Sequence, residues 1–184
     1  MTTDAERYKD QFQTPKNVAK YMVSLIPEGV KTVLEPTPGL GTIVNELKNY
    51  DVTAPADYFL LEKRMWDCVV MNPPFGLKYT FIENAPQEKV ISGMKMGYQM
   101  LFDCLQMSNH VIALMPWFTI SDSDIRLRNL KKYGIKSITA LPRKTFQYAR
   151  IQTVVLEMEK GYLGETKFKV FDFNREPELN LNKV

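Results

Sequence analysis

A run of four residues, Asn72-Pro73-Pro74-Phe75, directly follows a short and mostly apolar segment, 67–71. Prolines have no N–H to donate, so their carbonyl oxygens stay available to a ligand on a backbone that the rings hold rigid. The Asn72 side-chain carbonyl and the Pro73 carbonyl offer two acceptors for the two protons of an NH₂ group. This grip draws the nitrogen toward tetrahedral geometry, and Phe75 adds a surface for stacking a planar base. The pattern favours an amine-holding site over an ordinary Pro-rich turn with Phe75 in the core.

A second group of residues lies between a predicted strand, 30–35, and a predicted helix, 42–48. Gly39 and Gly41 let the backbone pass close to a ligand, and the helix presents its N-terminal N–H groups there. Glu35, at the carboxyl end of the strand, is suited to hold an ammonium group. The third glycine of the dinucleotide-binding pattern does not follow. A ligand site and a plain tight turn with Glu35 at the surface both fit this motif.

Both groups fall at strand ends within an alternating pattern of strands and helices. The pattern predicts an α/β fold with a mostly parallel sheet of about six or seven strands and helices on both faces. Ligands bind outside the carboxyl ends of strands in such sheets. Predicted strands are 30–35, 51–54, 57–61, 67–71, 111–115, 136–141 and 153–158, with an edge strand in 166–173. Predicted helices are one opened by Thr14 as N-cap and Pro15, then 42–48, 94–107 and 125–133.

Composition limits the classes of function. The chain has 184 residues, 45% of them hydrophobic, which suits one globular core. Cys68 and Cys104 lie in apolar runs, and His110 is the single histidine, so no metal site is expected. No apolar run is long enough to span a bilayer. We expect a soluble protein of the cytoplasm, in a bacterial or phage-infected cell, with no membrane contact.

Positive charge is concentrated in one stretch, although the net charge is only +3. Residues 125–150 contain no Asp or Glu and carry Arg126, Arg128, Lys131, Lys132, Lys136, Arg143, Lys144 and Arg150. Such an asymmetry is typical of a surface that faces phosphates. A solvated helix face with loop lysines is the alternative.

The motifs and their order resemble the amino-group DNA methyltransferases, in particular the adenine-N6 group. The resemblance covers residues 12–160 and rests on Phe12-Gln13-Thr14-Pro15, on segment 34–41, and on the full match at Asn72-Pro73-Pro74-Phe75. It implies a Rossmann-like methyltransferase domain over 12–165, a minimal catalytic core between a flexible N-terminus, 1–11, and a C-terminal extension, 166–184. It also implies S-adenosylmethionine as cofactor and the N6 amine of adenine in DNA as methyl acceptor.

The resemblance further implies a role for each matching residue. Glu35 would bind the methionine ammonium of the cofactor, and Asp57 would read its adenine amino group, unless Asp57 is a surface loop residue. The implied cofactor contacts are Thr14, Glu35, Pro36, Gly39, Gly41 and Asp57. Asn72, Pro73, Pro74 and Phe75 would form the catalytic motif. Phe146 or Tyr148 would stack on the other side of the base unless they are core aromatics, and Arg143 and Lys144 would contact the nucleic acid.

Two departures from that family leave alternatives open. Segment 51–57 leaves almost no room for the family's acidic ribose contact, helix and further strand. The cofactor pocket would then either be open on that side, with weak affinity, or be completed by Tyr58 or by a partner. After residue 160 only a short tail remains, so a partner subunit would supply sequence recognition. Related enzymes methylate RNA or a protein glutamine. A module that binds cofactor or nucleic acid without catalysis is the alternative of a different class.

Overall fold

The computed structural model describes residues 13–75, 95–146 and 151–172. The helices are α1 (Lys16–Ser24), α2 (Thr42–Glu46), α3 (Lys95–Met107), α4 (Phe118–Ser121) and α5 (Asp124–Tyr133), with a 3-10 helix at Tyr58–Leu60. The strands are β1 (Thr32–Leu34), β2 (Asp51–Thr53), β3 (Cys68–Met71), β4 (His110–Pro116), β5 (Ile135–Ala140), β6 (Thr153–Glu159) and β7 (Lys167–Val170).

The seven strands form one sheet in the order β2-β1-β3-β4-β6-β5-β7. Neighbouring strands are parallel except at β6, which is antiparallel to both β4 and β5. Six strands therefore run the same way, and their carboxyl ends share one side of the sheet, the carboxyl edge. The predicted α/β class and the mostly parallel sheet are confirmed.

Side chains alternate along the central strands between two hydrophobic clusters, one on each face of the sheet. In β3, Cys68 and Val70 enter the cluster covered by α1 and α2. Val69 and Met71 enter the cluster covered by α3 and α5. All four residues of β3 are buried, as a central strand covered on both faces requires. Helices on both faces were predicted and are found.

The predicted strand at 57–61 is wrong. The Asp57 side chain accepts a hydrogen bond from the Phe59 N–H at 2.8 Å and so caps a short 3-10 helix instead. The first helix begins at Lys16 with Pro15 as its N-cap, so Thr14 is not the capping residue. The Thr14 hydroxyl serves another residue, as described below.

The predicted edge strand is β7, which pairs in parallel with β5 at one side of the sheet. Phe168 pairs with Ile138, and Val170 pairs with Ala140. The segment expected to be a C-terminal extension, 166–184, therefore contributes a strand to the sheet.

Candidate functional site

A cleft with about 290 Å³ of empty space opens at the carboxyl edge, where β1 and β3 end. Its lining residues are Gln13, Thr14, Glu35, Thr37, Pro38, Gly39, Thr42, Ile43 and Asn72. Four predicted site residues, Thr14, Glu35, Gly39 and Asn72, thus meet in one place although they come from three separate stretches of sequence. Parallel pairing of β1 with β3 brings the two strand ends together.

Glu35 is a buried carboxyl group, with only 1% of the residue exposed. Burial raises its pKa to about 8, because the ionised form loses its water; hydrogen bonds from Thr37 act in the opposite direction. The Thr37 N–H donates to Glu35 Oε1 at 2.9 Å. In the free protein at neutral pH the carboxyl is therefore mostly protonated. A bound cation would favour its ionised form, so the cleft suits a ligand that carries an ammonium group.

Asn72 is held from two sides by threonines. Its Nδ2 donates to Thr14 Oγ1 at 3.0 Å. The Thr37 hydroxyl lies 3.2 Å from the Asn72 main-chain oxygen and 3.4 Å from Glu35 Oε1. Thr37 therefore joins the two predicted key residues, and no role for it was predicted from the sequence. The available signal was a small hydroxyl residue two positions after Glu35.

The glycine turn between β1 and α2 needs glycine at two positions. Gly39 has φ +52° and Gly41 has φ +79°, and residues with a side chain rarely adopt such backbone angles. Gln13 covers this turn, because its Oε1 accepts from the Leu40 N–H at 3.0 Å. A Cβ added at Gly39 would lie 2.8 Å from that Gln13 oxygen. Gln13 is a second lining residue for which the sequence analysis predicted no role of its own.

The aromatic residues expected to stack on a base are buried. Phe75 is 4% exposed, and Phe146 is 3% exposed within the cluster on the α1 face. Tyr148 lies outside the described residues. Arg143 and Lys144 are exposed just after β5, which places them at the carboxyl edge with Asn72.

Asp57 is not among the residues that line the cleft. Its side chain caps the 3-10 helix, and the Tyr58 hydroxyl in that helix donates to Asp103 at 2.9 Å. Pro36 and Gly41 belong to the turn without lining the cleft. In the ranges that the structure describes, β2 ends the sheet on this side, which agrees with the short segment noted at 51–57.

The end of β2 carries a threonine rather than an acidic side chain. Thr53 Oγ1 accepts from Trp66 Nε1 at 3.1 Å and from Arg64 Nη2 at 3.3 Å. The Thr53 main-chain oxygen accepts from the Glu35 N–H at 2.9 Å. This corner beside the cleft is therefore occupied by a tryptophan–arginine pair.

Within the described residues, the basic stretch does not form a single surface; Arg150 lies outside them. Arg126 lies over the Tyr98 ring at 3.7 Å and donates to the Phe118 carbonyl. Lys136 pairs with Glu157 and Glu159 at 3.6 and 3.0 Å. Lys131 and Lys132 lie in the last turn of α5, just before the amino end of β5 and therefore opposite the cleft. Because β5 runs from the amino to the carboxyl edge of the sheet, the basic residues before it and those after it lie at opposite edges.

Helix α3 approaches the Asn72–Phe75 turn very closely at Gly97. A Cβ added there would lie 3.0 Å from the Pro74 carbonyl oxygen and 3.8 Å from Pro73 Cγ. The absence of a side chain at this position thus fixes the distance between the helix and the turn.

We expect Gly97→Ala to destabilise the protein by about 1–3 kcal/mol, because the backbone must move to admit the methyl group. This sign is unusual, since alanine in a helix is ordinarily more stable than glycine by about 1 kcal/mol. Urea unfolding of Gly97→Ala and of Lys95→Ala, exposed on the same helix, checks it. A more stable Gly97→Ala variant would contradict the close contact.

Across the three described ranges, no group of three His, Cys, Asp or Glu residues is placed to hold a metal ion. Nor is any helix in those ranges long and apolar enough to cross a membrane.

No protein-family model matches the sequence, and no curated protein is significantly similar to it. Solved structures do share its fold. The methyltransferase subunit of a type I restriction-modification system from Streptococcus thermophilus superposes with a TM-score of 0.66 at 18% identity, over 87% of this chain and 47% of that one. A candidate class I S-adenosylmethionine-dependent methyltransferase from Listeria monocytogenes gives 0.62 at 18% identity, over 88% and 66%. A candidate RNA methyltransferase from Pyrococcus horikoshii gives 0.53 at 14% identity, over 83% and 88%.

The fold is the Rossmann-like α/β methyltransferase fold, as predicted. The chain spans about half the length of the Streptococcus structure.

Proposed function

We propose that this chain is an S-adenosylmethionine-dependent methyltransferase that acts on the exocyclic N6 amine of adenine in DNA. The observation that carries the proposal is the meeting of Glu35 and Asn72 in one cleft, with Thr37 within hydrogen-bonding distance of both. Glu35 suits an ammonium group, and Asn72 suits an amino group. The fold of the solved neighbours supports the same reading.

The cleft fits the amino-acid end of the cofactor. Glu35 would hold its ammonium group, and the cleft is small and partly open to solvent. The adenosine part would extend beyond the cleft toward Asp57. The proposed cofactor contacts are Thr14, Glu35, Pro36, Gly39, Gly41 and Asp57. When bound, the cofactor supplies an electrophilic methyl group on a sulfonium ion.

The chain's own contribution is to position the amine. Asn72 Oδ1 and the Pro73 oxygen would each accept one amine proton and direct the nitrogen lone pair. The bond from Asn72 Nδ2 to Thr14 fixes the side-chain amide before the base arrives, and such preorganisation is a main source of catalysis. Phe75 would stack on the base, with Phe146 or Tyr148 opposite it. Because Phe75 and Phe146 are buried in the free protein, either ring would have to be uncovered for this role.

Arg143 and Lys144 would bind the DNA backbone, because they are exposed at the same edge as Asn72. We expect the double variant Arg143→Glu/Lys144→Glu to lower DNA affinity and to reduce the slope of log affinity against log salt by about 1–2, since each phosphate contact contributes about 0.9. The double variant Lys131→Glu/Lys132→Glu makes the same change of charge at the opposite edge. Equal effects of the two double variants in salt-dependent anisotropy would contradict this assignment.

The Streptococcus neighbour is one subunit of a restriction-modification system. A partner subunit that supplies sequence recognition to this chain is part of the proposal. It is tested by asking whether the isolated chain methylates all adenine contexts equally.

Methyl-labelled cofactor tests the function directly. The protein is incubated with DNA, RNA or protein extract, and the label is traced to N6-methyladenine in DNA. The fold shared with a candidate RNA methyltransferase supports RNA as the second candidate substrate. Label in RNA alone, or in protein glutamine, would replace the DNA assignment. Failure of calorimetry to detect cofactor binding would leave only the non-catalytic binding module.

A further inference from the structure

The Thr37 hydroxyl lies between two acceptors, Glu35 Oε1 at 3.4 Å and the Asn72 main-chain oxygen at 3.2 Å. A hydroxyl has one proton, so a strong hydrogen bond to one oxygen weakens the bond to the other. Both distances exceed the usual value of about 2.8 Å for such bonds. The position of the proton therefore depends on how strongly Glu35 attracts it.

Three states of Glu35 differ in that attraction. A protonated carboxyl is a weak acceptor, so the hydroxyl turns to Asn72. An ionised carboxylate without a ligand draws the hydroxyl to itself, because charge-assisted hydrogen bonds are stronger. A carboxylate that holds an ammonium group has new donors, so the hydroxyl is again available to Asn72.

The surroundings of Glu35 leave this competition intact. The titratable group that interacts with it from α3 is the Cys104 thiol. Burial first, and then Asp103 and Glu35, raise the pKa of that thiol, while Lys63 lowers it, so the thiol stays neutral near pH 8. The Thr37 N–H donates to the same Oε1 atom at 2.9 Å, which keeps Thr37 beside the carboxyl group.

We infer that Thr37 is a positioning residue that transmits occupancy of the Glu35 site to the Asn72–Phe75 turn. When an ammonium group binds to ionised Glu35, the hydroxyl is released to the Asn72 oxygen and fixes the plane of the Asn72–Pro73 peptide. The Pro73 ring fixes the φ angle that links this peptide to the Pro73 carbonyl, so ordering the peptide also orders the amine site. The inference rests on the proposed function and adds to it that cofactor increases the affinity for the base under conditions in which free Glu35 is ionised.

The experiment measures this coupling without catalysis. A fluorescent single-stranded oligonucleotide with one adenine is titrated by anisotropy at pH 8.5, alone and with saturating S-adenosylhomocysteine. The matched control ligand is 5′-methylthioadenosine, which lacks the ammonium group. We expect S-adenosylhomocysteine to raise the oligonucleotide affinity by about fivefold or more and the control ligand to leave it unchanged. At pH 5.5, where free Glu35 is protonated, the increase should disappear.

Variants separate the role of the hydroxyl from general damage. Thr37→Val should abolish the coupling, and Thr37→Ser should retain it. Thr166→Val should also retain it, because this threonine lies outside the cleft, where its hydroxyl donates to the Ile135 carbonyl at 2.8 Å. Coupling that survives in Thr37→Val, or equal coupling at pH 5.5 and pH 8.5 in the wild type, overturns the inference. These outcomes require that the wild type binds S-adenosylhomocysteine. If it binds none, the proposed function itself fails, and the inference falls with it.

Discussion

Glu35→Gln is expected to stabilise the free protein at and above neutral pH while it weakens cofactor binding. The folded protein holds the Glu35 pKa at about 8, against 4.5 for a fully exposed glutamate. Ionisation is therefore harder in the folded state than in the unfolded state. Stability is fully present below pH 4.5 and is progressively lost as the pH rises toward 8.

Glutamine has nearly the same shape and no charge, so it avoids this loss. The shift corresponds to about 3–5 kcal/mol between pH 7 and pH 9, or a rise in Tm on the order of 10 °C for a chain of this size. Thermal unfolding at pH 4.5, 7 and 9 should show a difference that grows with pH and then levels off. Glu28→Gln, an exposed glutamate, is the matched control and should show none.

Cofactor binding should change in the opposite direction. Without the carboxylate, the ammonium group loses a charge-assisted bond, and affinity should fall by about tenfold or more. Wild-type binding at pH 7 should also release nearly one proton, because Glu35 must ionise. Calorimetry in buffers of different ionisation enthalpy measures that proton. Proton-neutral binding by the wild type would show that Glu35 does not hold the ammonium group.

Asn72→Ala is expected to lower the methyl-transfer rate by about a hundredfold or more, because one of the two acceptors for the amine is removed. Cofactor affinity should stay close to that of the wild type, since Glu35 keeps its position. Asn72→Asp retains an acceptor oxygen and loses the NH₂ group that donates to Thr14, so its loss should be smaller. Single-turnover methyl transfer with saturating cofactor measures all three proteins.

Asn129→Ala, at an exposed position of α5, is the control for a substitution outside the cleft. Two results would count against the amine-holding role of Asn72. One is a rate in Asn72→Ala equal to that of the control. The other is a rate loss fully explained by weaker cofactor binding.

Sequence patterns predicted most of the strands, because a run of apolar residues indicates a segment that is buried in the sheet. The four buried residues of β3 and the turn after them were readable directly. The segment 57–61 misled because its apolar residues suggested a strand, whereas the bond from the Phe59 N–H to Asp57 decided the local structure. A capping bond of this kind leaves no periodic signal.

Contacts between distant segments were the least predictable part of the site. Thr37 joins Glu35 to Asn72 only because β1 and β3 are neighbours in the sheet. The grouping of basic residues in the sequence was also a misleading guide to where they lie in the fold. In sequence, Lys132 and Arg143 are close, but β5 runs the full width of the sheet between them.

The position of β6 has a consequence for the order in which the protein acquires its site. β6 follows β5 in the chain, yet it lies between β4 and β5 and pairs with both. When synthesis has reached residue 150, the chain already contains the Asn72–Phe75 turn and Arg143. It still lacks β6, the strand that joins β4 to β5 in the sheet. Such non-local pairing slows folding. Synthesis of β6 is therefore the step that brings the proposed amine site and the proposed DNA contacts onto one rigid edge.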